Sequence, residues 1–213
     1  MKARKVVTRS SRKFKGLFPS RKLKRMVEWE SLPERDAILL FEFSNGIKSY
    51  QEQPDKVMYE HDGEMRRYYP DFSTVLSNGE IIYFEVKPNS QLALLIVANK
   101  LSAVKHHYDR IEKDFRILAA DKIRTEPRLS NLKRLASVQH RQHDYADIRV
   151  QVTQLLTNTS TVTVSSLFKT YGITNVLLLI AHGHICCDLN MDLIFEQNFL
   201  RLPEEHDHDS LYV

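Results

Sequence analysis

Residues 81–87 read Ile-Ile-Tyr-Phe-Glu-Val-Lys. In an extended strand successive side chains face opposite ways, so Tyr83, Glu85 and Lys87 share one face while Ile82, Phe84 and Val86 share the other. A carboxylate and an ammonium therefore lie side by side on a half-buried surface. Upstream, Tyr69-Pro70-Asp71-Phe72 supplies a second carboxylate, and Ser77-Asn78-Gly79 between two β-rich runs is a strong hairpin signal. That hairpin brings Asp71 across from Glu85, or nearly so. Two carboxylates held together repel unless a divalent cation sits between them. Oxygen ligands suit Mg²⁺, with Mn²⁺ as a substitute, and such a metal polarises a phosphoryl group and helps generate an attacking hydroxide. Lys87 would orient the water and offset the charge that develops in the transition state. The chemistry expected of Asp71, Glu85 and Lys87 is thus phosphodiester hydrolysis; the plain alternative is a surface hairpin with a cross-strand ion pair.

The elements that must position these groups follow from periodicity and punctuation. Pro33 and the acidic Glu34 and Asp36 open a helix over 32–43, which Asn45-Gly46 ends. Strands are expected at 47–53, 57–60, 65–76 and 80–87, a helix over 91–113 carrying an apolar stripe (Leu94, Leu95, Ala98, Leu101, Val104, Tyr108), and a buried strand at 115–119. This order gives an α/β domain with a mixed sheet flanked by helices over 26–122. Residues 123–144 read as a polar connector with helical parts. From 145 to 203 the pattern predicts helices over 147–156, 164–171 and 174–182 and a β-like pair at 184–188 and 199–202, a small, mainly α winged-helix-like domain. Residues 204–213 form an acidic, histidine-bearing tail.

Charge is unevenly placed. Met1 to Arg25 holds 11 of the 31 Lys and Arg and no acidic residue, while the remainder carries 20 basic against 27 acidic side chains. A compact basic arm over 1–25 gains from releasing counterions on a phosphate backbone, so nucleic acid is the first partner to consider; a solvated tail is the alternative. With 42% hydrophobic and 27% charged residues the composition is that of a folded protein rather than a disordered one. The most apolar stretch, 173–181, is far shorter than the roughly 20 residues of a membrane-spanning helix, and the first residues lack the apolar core of a signal peptide. A cytoplasmic location is expected. Cys186 and Cys187 are adjacent and poorly placed to bridge each other or to build a four-ligand zinc site.

Asp71 followed by Glu85-Val86-Lys87 carries the PD-(D/E)xK spacing. It stands in an ordered series: Glu34-Arg35-Asp36, Tyr50-Gln51-Glu52-Gln53-Pro54, Arg66-Arg67-Tyr68-Tyr69-Pro70-Asp71-Phe72, and Phe84-Glu85-Val86-Lys87-Pro88. The series resembles the TnsA family, the endonuclease subunit of Tns-type cut-and-paste transposons. The likeness continues through 115–121, Ile123-Arg124, Pro127-Arg128-Leu129, Asn131-Leu132 and the 164–202 pattern. The resemblance implies a restriction-endonuclease-like nuclease domain that cuts the 5′ ends, the non-transferred strands, of a bacterial transposon. It further implies a DDE transposase of the TnsB type and an AAA+ ATPase of the TnsC type as partners. Carried over by position, Asp71 and Glu85 are metal ligands, Lys87 is the catalytic lysine, and Glu34 is the helix carboxylate that joins the metal site. Glu30, four residues earlier, could share that helical face; Glu34 is preferred because it stands inside the predicted helix. Gln53 is a weaker candidate, since a neutral amide is a poor ligand for a hard cation. A stand-alone restriction or repair nuclease of the same superfold, or a non-catalytic DNA-binding adaptor, are the competing readings.

Other signals carry less. The histidine pairs do not join a cysteine pair at finger spacing, and Gly183 between His182 and His184 reads as a helix C-cap. The helix at 174–181, Thr-Asn-Val-Leu-Leu-Leu-Ile-Ala, lacks the Arg, Lys, Asn or Gln face of a groove-reading helix, so the C-terminal domain is expected to dock protein or DNA backbone rather than read sequence.

Overall fold

Ser31 stops the chain in an extended conformation and its hydroxyl accepts from the Glu34 backbone N–H at 3.3 Å, which starts helix α1 (Leu32–Phe43) as an N-capped helix. In the computed structural model, which describes residues 14–204, α1 is preceded by strands β1 (Gly16–Ser20) and β2 (Arg25–Trp29). It is followed by β3 (Ile47–Glu52), β4 (Val57–His61), β5 (Glu64–Tyr68), β6 (Phe72–Leu76), β7 (Ile81–Lys87), a single turn α2 (Asn89–Leu92), α3 (Leu95–Arg110), β8 (Asp114–Ala119) and α4 (Ala120–Ile123). The remaining helices are α5 (Arg128–Val138), α6 (Ala146–Asn158), α7 (Val164–Tyr171) and α8 (Ile173–Ala181).

The central sheet has the order β3-β6-β7-β8. β3, β6 and β7 are antiparallel neighbours, whereas β8 returns through α3 to lie parallel to β7. The sheet is therefore mixed. Phe41 of α1 packs on Phe72 and Phe84 with ring centroids 5.3 and 5.2 Å apart. Tyr108 of α3 stacks on Phe115 of β8 at 5.0 Å within a second cluster that includes Leu101, Val104, Tyr59 and Tyr68. Helices thus flank the sheet, as the sequence pattern requires, and the apolar face of β7 (Ile82, Phe84, Val86) is buried.

Three parts of this unit differ from expectation. The helix expected over 91–113 is split at Ala93-Leu94 into α2 and α3, and Leu94, Leu95 and Ala98 of its expected stripe are exposed while Leu101, Val104 and Tyr108 are buried. The run read as one strand over 65–76 is broken at Tyr69-Pro70-Asp71: Pro70 has no N–H to offer a ladder, so β5 pairs with β4 as a separate ribbon and β6 starts at Phe72. The basic arm read over 1–25 is, from Gly16, part of the β1–β2 hairpin, and its first 13 residues lie outside the described residues. Several of its cations have partners in the fold. Arg25 grips the buried Glu52 through both guanidinium nitrogens at 2.7 and 2.6 Å. Lys22 donates to the carbonyls of Phe41, Ser44 and Ile47 at 2.6–2.8 Å, closing the C-terminal end of α1. Glu42 accepts from Ser20 and Tyr50 and from the backbone N–H of Arg21 and Lys22. At Gly16 a Cβ would lie 2.4 Å from the Trp29 indole across the hairpin, so only glycine fits there.

The described chain divides after Arg124 into two compact units. In the second unit the stretch expected as a connector, 123–144, contains α5, whose Leu129, Leu132, Leu135 and Val138 are buried. α5 packs against α8, and α7 packs on α8 as well. Residues 176–181 of α8 are all buried, in line with its apolar sequence. Gly183 takes φ 71° and the His184 N–H bonds back to the Leu179 carbonyl at 2.9 Å, the expected helix-closing turn. The β-like pair expected at 184–188 and 199–202 is reduced to an isolated bridge, Cys186 with Arg201, and a second bridge joins Thr163 to Phe199. His182 is held at both ring nitrogens, by the Tyr145 hydroxyl and by the Gln139 carbonyl at 3.0 Å. No helix among the described residues is long and apolar enough to cross a membrane.

Candidate active site

The register of the β6–β7 hairpin sets Phe72 opposite Phe84, so Asp71, one residue before β6, falls beside Glu85. The Asp71 Oδ2 accepts a hydrogen bond from the Val86 backbone N–H at 2.8 Å. Its own carbonyl accepts from Gln53, a residue at φ 44° where the chain turns out of β3. Asp71 is thus fixed by backbone groups of both neighbouring strands.

Lys87 stands two residues beyond Glu85 on the same face of β7. Its ammonium contacts Glu85 Oε1 and lies 3.6 Å from Asp71 Oδ2. The other Glu85 oxygen accepts from the Tyr68 hydroxyl, and Glu85 as a whole is 3% exposed. The sequence pattern places Asp71, Glu85 and Lys87 near one another, and the structure brings these three side chains together at the end of β7.

Glu34 is placed differently from a direct member of that cluster. Its two oxygens accept from the Glu30 backbone N–H at 2.7 Å and from the Ser31 hydroxyl at 2.9 Å, so the carboxylate closes the start of its own helix. It still acts on the cluster through its field, raising the proton affinity of both Asp71 and Lys87. Glu30 is engaged by Lys15 at 2.9 Å. Asp36, the third residue of the helix motif, is buried between Arg35 and Arg124 at 2.7 and 2.8 Å and ties α1 to the end of α4.

The electrostatics are those of crowded negative charge. Burial, and then the neighbouring Glu85, raise the Asp71 carboxyl well above the usual carboxylate range, with Lys87 opposing the shift. Burial alone would lower Lys87, but Asp71, Glu85 and Glu34 outweigh it, so the ammonium is held charged. Burial likewise raises Glu34, partly offset by the hydrogen bonds from Glu30 and Ser31. Among the described residues no three His, Cys, Asp or Glu side chains converge as a ligand set. The donors that do converge are two carboxylates. That set suits Mg²⁺, which keeps several waters and is commonly held by one or two carboxylates together with substrate phosphate.

Tyr68 is a member of this cluster that sequence reasoning misses. Its only signal there is its place three residues before Asp71.

A mixed sheet flanked by helices is consistent with a nuclease fold. Residues 44–120 match the family model described as TnsA-like endonuclease N terminal. The matched stretch runs from the end of α1 through β8 and contains Asp71, Glu85 and Lys87, while Glu34 precedes it. A search of curated proteins found no match.

Proposed function

We propose that this chain is a divalent-metal-dependent DNA endonuclease of the PD-(D/E)xK type that cuts the 5′-ended strands of a Tns-type transposon. In this reading it works beside a TnsB-like DDE transposase under a TnsC-like AAA+ ATPase. The observation that carries the reading is the cluster of Asp71, Glu85 and Lys87, lying inside a stretch that matches the TnsA-like endonuclease family.

Asp71 and Glu85 would hold Mg²⁺, and the site's excess negative charge supports that assignment, because a cation removes the repulsion that burial intensifies. When bound, the metal supplies Lewis-acid polarisation of the phosphoryl group and eases deprotonation of the attacking water. Lys87 stays protonated between the two carboxylates, turns a donor toward that water, and offsets the charge that builds on the phosphoryl oxygens. The Val86 N–H, hydrogen-bonded to Asp71 Oδ2, would orient that carboxylate before substrate arrives. Glu34 adds negative potential beside Lys87 from the helix start, as a helper rather than a direct ligand.

The C-terminal unit, in this reading a winged-helix-like module of 145–203 extended by α5, docks a partner protein or DNA backbone. The buried face of α8 supports that view, since it leaves no polar groove-reading face on this helix. The basic residues of 1–13 supply phosphate contacts.

The test is nicking of a transposon-end duplex by the chain together with its transposase, in Mg²⁺, in Mn²⁺ and in EDTA. Metal-dependent nicking of the 5′-ended strand is the expected result, and metal-independent nicking would remove the reading.

A further inference from the structure

Glu85 presents two oxygens, and in the fold they are divided: Oε1 faces the Lys87 ammonium and Oε2 accepts from the Tyr68 hydroxyl. A phenolic O–H facing a carboxylate can only donate; it occupies one of the two lone-pair positions of Oε2 and fixes the orientation of the carboxylate plane. The phenol is not free to follow a moving carboxylate. Tyr68 ends β5, is 3% exposed, and its ring is gripped edge-on by Tyr59 and Phe115 with centroids 6.0 and 5.9 Å away. The Lys100 ammonium lies over the ring at 5.2 Å from its centroid.

We propose that Tyr68 is a positioning residue that confines Glu85 to ligation through a single oxygen and thereby sets the preference of the site for Mg²⁺ over Ca²⁺. This rests on the metal-binding reading of Asp71 and Glu85 given above. The reasoning is geometric. Mg²⁺ demands near-octahedral coordination at about 2.0–2.1 Å and takes one oxygen from each carboxylate, whereas Ca²⁺ accepts 6–8 oxygens at about 2.3–2.6 Å and often takes both oxygens of one carboxylate. The Tyr68 hydrogen bond pins the carboxylate plane and so disfavours the rotation that would turn both Glu85 oxygens toward one Ca²⁺. Groups that orient a metal ligand from behind are worth roughly 10–100-fold in affinity or activity when removed.

The experiment measures binding rather than turnover: Mg²⁺ and Ca²⁺ each compete with Mn²⁺ on the full chain, followed by the electron paramagnetic resonance signal of free Mn²⁺. Tyr68→Phe keeps the ring and its packing but removes the donor. Its ratio of Mg²⁺ to Ca²⁺ affinity is expected to fall on the order of 10-fold, with Ca²⁺ binding unchanged or tighter. Tyr59→Phe, next to it in the same cluster, is expected to leave the ratio at the wild-type value. An equal loss for both cations in Tyr68→Phe, or an unchanged ratio, overturns the positioning role. If Tyr68→Phe does not fold, Tyr68→His, which changes the ring but can keep a donor, serves instead: a changed ratio of Mg²⁺ to Ca²⁺ affinity supports the proposal and an unchanged ratio overturns it. Asp71→Asn separates the two claims. Mn²⁺ binding that ignores Asp71→Asn removes the metal site itself, and Tyr68's role with it, while binding that needs Asp71 but shows a Tyr68-independent ratio removes only the latter.

Discussion

The Asp71 carboxylate accepts from the Val86 backbone N–H at 2.8 Å, a bond that ties the residue before β6 to the strand position between Glu85 and Lys87. The spacing of Asp71, Glu85 and Lys87 is therefore built into the β6–β7 hairpin.

Because burial and Glu85 raise the Asp71 carboxyl above its ordinary value, metal binding should displace a proton from the site. Mg²⁺ affinity is expected to climb as pH rises toward the raised Asp71 value and then level off. Calorimetry in buffers of different ionisation enthalpy reads the proton released; no release, and a flat affinity profile, would contradict the crowded-carboxylate account.

The same shift has a consequence for the metal-free protein. A carboxyl whose folded pKa is raised stabilises the fold below the unfolded value, about 3.9, and that contribution is lost as pH rises through the folded value. Wild-type stability should therefore fall relative to Asp71→Asn between mildly acidic and neutral pH. Urea midpoints of the two proteins across that range, taken in chelator, check the sign.

Arg25 holds the buried Glu52 bidentately and so fastens the β1–β2 hairpin to β3. Removing one partner of a buried pair leaves an uncompensated charge and costs about 3–5 kcal/mol; the lower end applies here because Arg25 is itself partly exposed. Arg25→Met should therefore lower unfolding stability by about 3 kcal/mol in urea titration. Arg25→Met combined with Glu52→Leu should recover most of the loss.

A truncation that removes residues 1–13 should leave this hairpin intact, whereas one that removes 1–25 should destabilise the domain, since it takes away Arg25, Lys22 and the turn around Glu42. With the shorter truncation, DNA affinity should fall about equally for all sequences, and the slope of log K against log salt should flatten by about 0.9 for each phosphate the protein no longer neutralises. Binding measured from low to moderate salt gives both quantities, and an unchanged slope would mean that the basic segment neutralises no phosphates.

Much of the site is legible in the sequence because its signals are local. Period-2 alternation over 81–87 puts Glu85 and Lys87 on one face, and Asn78-Gly79 brings Asp71 back beside them. What sequence does not reveal depends on contacts between distant segments. Tyr68 is an ordinary aromatic until the β4–β5 ribbon carries its hydroxyl to Glu85. The β1–β2 hairpin is hidden by its own cations, which read as a phosphate-binding arm although Lys22 and Arg25 satisfy carbonyls and a carboxylate in the fold. α5 is obscured by the polar residues around its Leu129, Leu132 and Leu135 stripe, whose partner α8 comes much later in the chain. At Glu34 the residue type suggests a ligand, while in the fold its oxygens accept from the Glu30 N–H and the Ser31 hydroxyl, local contacts that the residue type alone does not reveal.

The most direct test is strand-resolved nicking of a transposon-end duplex by Asp71→Ala, Glu85→Ala and Lys87→Ala, each with the partner transposase present and Mg²⁺ saturating. If these groups act on the metal and the phosphate, each variant should cut the 5′-ended strand more slowly by on the order of a thousandfold, because several kcal/mol of transition-state stabilisation is lost at a factor of ten per ~1.4 kcal/mol. Cutting and joining of the 3′ end by the transposase should continue, and the fold should persist in thermal melts. Nicking of the 5′-ended strand by Asp71→Ala at the wild-type rate would contradict the assignment of this cluster as the active site.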